Sequence, residues 1–267
     1  MSRLTLGFFN LTQKSGQDLY LKIPLCDVFS SIIDRAFPAI SHIGWQHVEK
    51  GACYTYIKQI PDDDRDLLND FLESLQHVRC LTITGHLAPY FSNELDEAYA
   101  LDFNFNQDVY PLSYTEVGDL EYRAKEYQNS TATTELARKL SALIVKHPTF
   151  SRADVICAIP SRPSKEFHLP LQLVAQIGKI LDRPTGLDIT KKEHRKLKSL
   201  PIAEKISELN GKFCLNESII GKSILIIDDL YQSGVTAWTM ARFLKENGAR
   251  EVYSLACVKS WSDTDNV

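Results

Sequence analysis

An uninterrupted apolar run near the carboxyl end of the chain most constrains what the chain can fold into. Residues Ile224 to Ile227 read ILII, and two carboxylates, Asp228 and Asp229, follow directly. A short continuous apolar run that ends in polar turn residues is typical of a strand buried on both faces, as in a parallel sheet. We therefore predict a central buried strand that ends at the two acids.

The loop after this strand is built from small and hydroxyl residues. Gln232, Ser233, Gly234, Val235 and Thr236 precede a helical pattern that begins at Ala237. Ligands of open α/β sheets bind at the carboxyl ends of the strands, and a loop before a helix start directs several backbone N–H groups at one anion. The stretch thus predicts donors for a phosphate beside carboxylates for an attached sugar. The alternative is an ordinary strand-to-helix turn with a capping Asp.

This arrangement resembles the PRPP-binding loop of type I phosphoribosyltransferases, which bind phosphoribosyl pyrophosphate. The matching features are an apolar strand, two acids, three spacer residues and then Ser-Gly-Val-Thr. The resemblance implies that Asp228 and Asp229 contact the ribose hydroxyls and act in catalysis and in Mg²⁺ binding. It also implies that Gln232 to Thr236 bind the 5′-phosphate. Mg²⁺ is the expected cofactor, held through substrate phosphates and a carboxylate or two rather than by an all-protein cage.

Strands alternate with helices through the second half of the chain, which predicts a doubly wound, mostly parallel sheet of the α/β class. Besides the Ser223 strand, the pattern predicts strands at Val155 to Ile159 and Val252 to Val258, and helices at Thr133 to Lys146, Leu171 to Leu181, near Pro201 to Leu209 and Ala237 to Asn247. We assign residues 113–267 to a phosphoribosyltransferase-like domain.

Residues 1–112 have a different character and predict an α+β region of unknown role, either a hood over the site or a partner-binding domain. Strand-like composition occurs at Leu4 to Leu11, Tyr54 to Ile60, Cys80 to Ile83 and Tyr99 to Phe105. The acids Asp62, Asp63 and Asp64 precede apolar residues at helical spacing, so they predict the first turn of a helix rather than a metal site.

Two basic segments are candidates for the pyrophosphate end of PRPP. Arg162 and Lys165 follow the strand predicted at Val155 to Ile159, so they belong to the same edge of the sheet as the acids. The alternative is a Pro-rich turn with solvated cations. The cluster from Lys191 to Lys198 predicts either a lid that closes over the pyrophosphate, with Lys196 as a catalytic residue, or a solvated loop.

Within the type I family, residues 113–259 resemble one branch more specifically, the competence-protein ComF-type phosphoribosyltransferases. The carrying residues are Tyr114, Leu120, Lys125, Pro160, Gly211 and Phe213, while Lys205 and Glu208 stand where that branch has Arg and Asn. The zinc-ribbon N-terminus of that branch is absent. By resemblance to purine phosphoribosyltransferases, Lys259 at the last strand end is a base-binding candidate; the alternative is a solvated lysine.

Composition excludes several classes of protein. The formal net charge of −4 argues against a general nucleic-acid-coating surface, and no apolar run approaches the roughly 18 residues of a membrane span. The six cysteines are scattered singly, without a CxxC pair, which favours free thiols in a reducing cytoplasm over zinc or disulfides.

The function predicted from these features is a phosphoribosyltransferase that uses PRPP, Mg²⁺ and an unknown nucleobase or nucleotide, acting as a homodimer or with a partner protein bound by the N-terminal region. Two alternatives stay open at this point. One is a non-catalytic module that senses PRPP or a nucleotide, and the other is an N-glycosidase effector that cleaves nucleotides or NAD in a stress or defence system.

Overall fold

The computed structural model of the protein describes residues 5–13, 19–24, 27–50, 53–61, 65–83, 85–106, 110–198 and 200–261. The acids Asp62 to Asp64 lie outside the described residues. The strands are β1 (Asn10–Gln13), β2 (Leu19–Pro24), β3 (Gln46–Lys50), β4 (Cys53–Ile60), β5 (Arg79–Cys80), β6 (Glu97–Phe103), β7 (Val155–Ala158), β8 (Ile189–Lys191), β9 (Phe213–Leu215), β10 (Ser223–Tyr231) and β11 (Glu251–Lys259). The helices are α1 (Asp27–Ala36), α2 (Pro38–Ser41), α3 (Arg65–His77), α4 (Glu116–Glu126), α5 (Ser130–Lys146), α6 (Pro148–Ser151), α7 (Leu169–Leu181), α8 (Ile202–Leu209) and α9 (Val235–Glu246).

The chain divides into two units, of which the first comprises Met1–Val78 and Leu143–Ser151. Its sheet is antiparallel, with the strand order β1-β2-β4-β3. Along β2 the side chains of Leu19, Leu21 and Ile23 are buried and their neighbours are partly exposed, because successive side chains of a strand point to opposite faces. This unit contains both helices and antiparallel strands, but its bounds differ from the predicted region of residues 1–112.

The second unit comprises Arg79–Ala142 and Arg152–Val267. Its main sheet has the order β5-β6-β11-β10-β7, in which β6, β11, β10 and β7 run parallel and β5 is antiparallel to β6. The predicted α/β class with a mostly parallel sheet is therefore confirmed. The strand predicted at Tyr99 to Phe105 is β6, a member of this sheet. The division into functional domains at residue 112 stays a prediction.

Helices cover both faces of this sheet. Ile224 and Ile226 of β10 pack in one buried cluster with Met240 and Leu244 of α9 and Leu209 of α8. Since side chains alternate along a strand, the buried residues Leu225 and Ile227 belong to the opposite face, where α7 contacts β7 and β10 and α4 contacts β6 and β11. The even-numbered side chains of β10 thus face α8 and α9, and the odd-numbered ones face α4 and α7.

The position of α4 is fixed by its first turn. The Thr115 hydroxyl accepts the Gly118 N–H at 2.9 Å and donates to the Phe103 carbonyl, at the end of β6, at 2.6 Å. A Cβ on Gly118 would collide with the backbone carbonyl of Asn104, so only glycine allows the helix to approach the strand this closely.

Among the described residues, no helix has the length and apolar character that crossing a bilayer requires.

Candidate functional site

The strand that carries the two acids is longer than the sequence predicts. β10 continues through Asp228 and Asp229 to Tyr231, and it pairs with β11 as far as Tyr231, which lies opposite Lys259. Its pairing with β7 ends earlier, at Ile227. The acids therefore lie where β10 retains one neighbouring strand and has lost the other, which opens the sheet at its carboxyl edge.

Gly234 shapes the turn between β10 and α9. Its φ is +82°, in the left-handed region that favours glycine, and it immediately precedes the first helical residue, Val235. A Cβ at this position would also collide with the hydroxyl end of the Tyr231 ring. That ring is held in place because its oxygen accepts the Trp238 indole N–H at 3.0 Å. The turn thus requires glycine for two independent reasons.

The backbone N–H groups of Ser233 to Thr236 lie at this turn and at the start of α9. Among the described residues, no hydrogen-bond acceptor meets the N–H groups of Ser233, Gly234, Val235 or Thr236, and the first bond of the helix runs from the Trp238 N–H to the Gly234 carbonyl. A cavity of about 220 Å³ adjoins them. Open donors at a helix start suit an anion. The cavity is lined by Leu197, Lys198, Lys205, Asp228, Leu230, Tyr231, Gln232, Ser233, Gly234, Val235, Thr236 and Ala237.

The two acids point to different sides of β10. The Asp228 side chain is half-buried and lines the cavity on the α8 and α9 face. The Asp229 side chain is 8% exposed, and its Oδ2 forms an ion pair at 3.0 Å with the Nζ of Lys125 on α4. Lys125 also pairs at 3.1 Å with Glu121, one turn earlier on the same helix. The structure therefore brings only one of the two predicted acids to the cavity.

The acids also differ in their protonation equilibria. Burial and the neighbouring Asp229 carboxylate raise the pKa of Asp228 above its ordinary value. Burial acts in the same direction on Asp229, but the Lys125 ammonium, together with the Lys165 charge and a hydrogen bond from Asp228, lowers the pKa of Asp229 overall. Conversely, burial opposes the charge of Lys125, while Asp229 and Glu121 raise its pKa. Asp229 and Lys125 thus form a charged pair, whereas no cation among the described residues forms an ion pair with Asp228.

Arg162 and Lys165, the predicted pyrophosphate ligands, act electrostatically on the acid pair's surroundings. Burial lowers the pKa of Lys191 to about 8, Asp228 opposes this shift, and Arg162 and Lys165 reinforce it. The Lys165 charge also lowers the pKa of Asp229. Arg162 reaches the Glu193 carboxylate at 3.4 Å, so the loop after β7 is tied to the basic segment that follows β8.

The other two predicted lysines lie outside the cavity. Lys196 is exposed, and its neighbours Leu197 and Lys198 line the cavity instead. Lys259 is 8% exposed and donates its Nζ proton to the Ser260 carbonyl at 2.9 Å, at the end of β11. The roles assigned to Lys196 and Lys259 stay predictions.

Sequence reasoning named three further lysines without predicting their places in the site: Lys125, which pairs with Asp229; Lys191, buried near Asp228; and Lys205, buried at the cavity wall. Lys205 is 3% exposed. The sequence contained local signals for these lysines, because Lys125 and Lys205 occupy positions of the ComF-type motifs and Lys191 is the first residue of the basic cluster. Their burial and pairing depend on long-range contacts that the local sequence does not contain.

Comparisons with known proteins give structural neighbours but no sequence relatives. No protein-family model matches the chain, and no curated protein matches it. The structural neighbours are phosphoribosyltransferases.

Among the described residues, no group of three or more His, Cys, Asp or Glu side chains is arranged to hold a metal ion.

Three of the structural neighbours illustrate the identity, coverage and TM-score of the matches. A hypoxanthine phosphoribosyltransferase from Staphylococcus aureus is 15% identical, over 49% of this chain and 67% of that chain, with a TM-score of 0.31. An HGPRT-ase from Leishmania tarentolae in complex with GMP is 14% identical over 48% and 64%, with a TM-score of 0.30. A UMP synthase from Leishmania donovani is 19% identical over 73% and 31%, with a TM-score of 0.32. The chain thus spans less than two thirds of both Leishmania proteins.

Proposed function

We propose that this protein is a phosphoribosyltransferase-like transferase that binds PRPP and passes its phosphoribosyl group to a nucleobase. The 5′-phosphate binds the turn from Gln232 to Thr236, the ribose hydroxyls bind at the acids with Asp228 in direct contact, and the pyrophosphate binds near Arg162 and Lys165. The similarity to ComF-type proteins and the base-binding role of Lys259 belong to the same proposal.

One observation carries this proposal: open N–H donors and a carboxylate line the same cavity. The N–H groups of Ser233 to Thr236 have no acceptor among the described residues, and the Asp228 carboxylate lies on the same cavity wall. Buried or half-buried polar groups are normally satisfied within a protein. A set of donors left open beside an acceptor therefore suits a ligand that has an anion and hydroxyls a few bonds apart, as a sugar phosphate does.

The transfer itself requires positioning and charge stabilisation. The bond from ribose C1 to the pyrophosphate oxygen breaks, and its electron pair leaves with the pyrophosphate. A new bond forms between C1 and a ring nitrogen of the base, whose proton is released to solvent. Arg162 and Lys165 stabilise the negative charge that develops on the leaving group, which is the main electrostatic task of such a site. The phosphate-binding turn holds C1 in place for the incoming nitrogen.

Mg²⁺ fits this site as a partner of the substrate. It prefers oxygen ligands and keeps several waters, so it binds through substrate phosphates with one or two carboxylates. Asp228 offers such a carboxylate at the cavity wall, and the ion would neutralise charge on the pyrophosphate. The two adjacent acids face different sides of β10, which favours one direct carboxylate ligand over two.

Calorimetric titration of PRPP, with and without Mg²⁺, tests the proposal. We expect Mg²⁺-dependent binding by the wild type and at least a tenfold loss, about 1.4 kcal/mol, in the double variant Asp228→Asn/Asp229→Asn. The matched control is Asp182→Asn/Asp188→Asn, which removes the same two charges at exposed positions. Equal affinity of the wild type and the acid-pair variant overturns the proposal.

Turnover separates the proposed transferase from the other functions. Release of pyrophosphate from PRPP in the presence of a nucleobase panel supports transfer. Tight binding without any pyrophosphate release contradicts the transferase and favours a sensor. Release of free base from a panel of nucleotides and NAD contradicts it in favour of an N-glycosidase.

A further inference from the structure

A buried charge cluster on the far side of β10 from the cavity joins α4 to one of the two acids. The Lys125 ammonium lies 3.0 Å from Asp229 Oδ2 and 3.1 Å from Glu121 Oε1. Glu121 is 7% exposed and Asp229 is 8% exposed, while the Lys125 side chain is half-buried. One cation therefore serves two carboxylates in a place that water reaches poorly.

The fold places this lysine with little freedom. Gly118 brings the first turn of α4 against the backbone of Asn104, which directly follows β6. The Thr115 hydroxyl bonds both to this turn and to the last residue of β6. Because β6 pairs with β11, and β11 with β10, the helix is fixed relative to the acids. Lys125 lies two turns beyond this anchor and reaches Asp229.

The Asp229 carboxylate has partners within the protein at both oxygens, one through a hydrogen bond and the other through an ion pair without hydrogen-bond geometry. Oδ1 accepts the Leu230 N–H at 2.8 Å, and Oδ2 pairs with Lys125. Asp228 accepts the Asp229 N–H with Oδ1 at 2.9 Å and lines the cavity on the opposite face. Two like charges at adjacent positions repel each other and also repel a ligand with several phosphate charges. Neutralising one of them by a fixed cation removes much of that cost.

We propose that Lys125 is a positioning residue, which together with Glu121 fixes and neutralises Asp229 so that Asp228 is the carboxylate presented to the ligand. This inference rests on the proposed function, because it assigns different roles to the two acids of the same PRPP site. Without Lys125, the Asp229 charge is uncompensated beside a ligand that is itself strongly anionic.

The test combines single and double variants of the full chain, with PRPP and Mg²⁺ as the probe. Truncating one member of a buried charge pair leaves the other unpaired, so we expect Lys125→Met to weaken PRPP binding by about tenfold or more. Lys125→Arg keeps the charge and is expected to restore most of the affinity. Lys125→Met/Asp229→Asn is expected to bind more tightly than Lys125→Met alone, because the unpaired charge is gone.

The matched control is Arg123→Met, on the same helix, which breaks the exposed ion pair with Asp119 and is expected to leave the affinity unchanged. A merely structural role predicts a different result: Lys125→Met lowers Tm while the folded protein binds PRPP like the wild type. That result overturns the inference. A double variant that binds no better than Lys125→Met also overturns it, because Asp229 would then be a direct ligand.

If the wild type does not bind PRPP, the proposed function is overturned. A second measurement, made without ligand, tests the inference about Lys125 separately. The change in Tm without ligand is measured for Lys125→Met, Asp229→Asn and the double variant. If the decrease in Tm of the double variant is smaller than the sum of the decreases of the two single variants, Lys125 and Asp229 interact in the protein without ligand. Additive changes overturn the inference by themselves.

Discussion

The two sides of the carboxyl end of β10 use the same kinds of chemical group in opposite ways. On the cavity side, which comprises Asp228 and the turn from Gln232 to Thr236, the N–H groups of Ser233 to Thr236 have no acceptor among the described residues, and a carboxylate faces the cavity. On the helix side, which comprises Asp229, Glu121 and Lys125, the acids are paired with a cation. The carboxylates on the helix side are thus paired within the protein, as buried polar groups normally are, whereas the donors of Ser233 to Thr236 have no partner among the described residues.

The difference between the two sides arises because two adjacent residues of one strand face opposite sides of the sheet. Asp228 and Asp229 are adjacent, so their side chains point to opposite faces of the sheet. One face meets the start of α9, whose first N–H groups have no partner within the helix. The other meets α4, which supplies the lysine. An acidic pair in a strand is therefore two separate sites that share a backbone.

The largest expected effect comes from Gly234→Ala, which breaks the cavity side alone. The new Cβ is strained at a φ of +82° and collides with the Tyr231 ring, so the turn must move and its N–H groups lose their common direction. We expect PRPP affinity to fall by about a hundredfold and the free energy of unfolding by roughly 1–3 kcal/mol. Calorimetry and denaturant unfolding measure the two effects.

Gly248→Ala is the matched control for that substitution. Gly248 follows the other end of α9, with a φ of +93° and an added Cβ 3.0 Å from the Ile220 side chain. It imposes a similar backbone strain far from the cavity, so stability falls and affinity stays the same. A comparable affinity loss in both variants would show that general strain, rather than the turn geometry, weakens binding.

Asp228→Asn has the next largest effect, and it sharpens the contrast between the acids. Because burial and Asp229 raise the pKa of Asp228, the folded state disfavours its charge, and removing that charge is not expected to lower Tm. PRPP affinity is expected to fall by about tenfold, roughly the value of one charge-assisted contact. A fall in Tm as large as that of Asp229→Asn would mean that the two acids have equivalent structural roles.

The sheet was predictable from sequence because its signal is local. Buried parallel strands read as continuous apolar runs, so the strands at Val155, Ser223 and Val252 were placed within a few residues. β8 and β9 were missed because three-residue strands are too short to show a period. The placement of β6 beside β11 depends on pairing over some 150 positions of sequence, which no local pattern contains.

The candidate site was predictable only in part. The turn from Gln232 to Thr236 was found because glycine and hydroxyl residues before a helix have a local meaning. The separation of Asp228 from Asp229 follows from strand alternation, but the resemblance to a family treated the two as one unit. Lys125 and Lys205 occupy motif positions, but the pairing of Lys125 with a residue far along the chain and the burial of Lys205 by tertiary packing were not readable from spacing.

Lys205→Gln tests whether the cavity side extends beyond the turn to α8. Lys205 is 3% exposed and lines the cavity wall, so its ammonium contributes positive potential in a region of low dielectric constant. We expect affinity for PRPP and for ribose 5-phosphate to fall by about fivefold, consistent with one favourable charge interaction. Lys198→Gln, at an exposed position of the same cavity, is the control with a smaller expected loss. Equal losses in the two variants would contradict a special role for the buried lysine.

The last expected effect is on stability rather than on ligand binding, and it is a pH dependence that originates near the helix side. His168 precedes α7, and burial, aided by the Lys165 and Lys191 charges and opposed by Asp229, lowers its pKa from 6.5 to about 4. Between these two values the unfolded chain binds a proton that the folded protein does not, so stability rises with pH across this window and falls as the pH drops through it. His168→Gln removes this titration, and we expect its Tm to change less than that of the wild type between pH 6.5 and pH 4. Parallel Tm curves for the two proteins would show that His168 has the same pKa in the folded and unfolded states, and that the acid sensitivity comes from other groups.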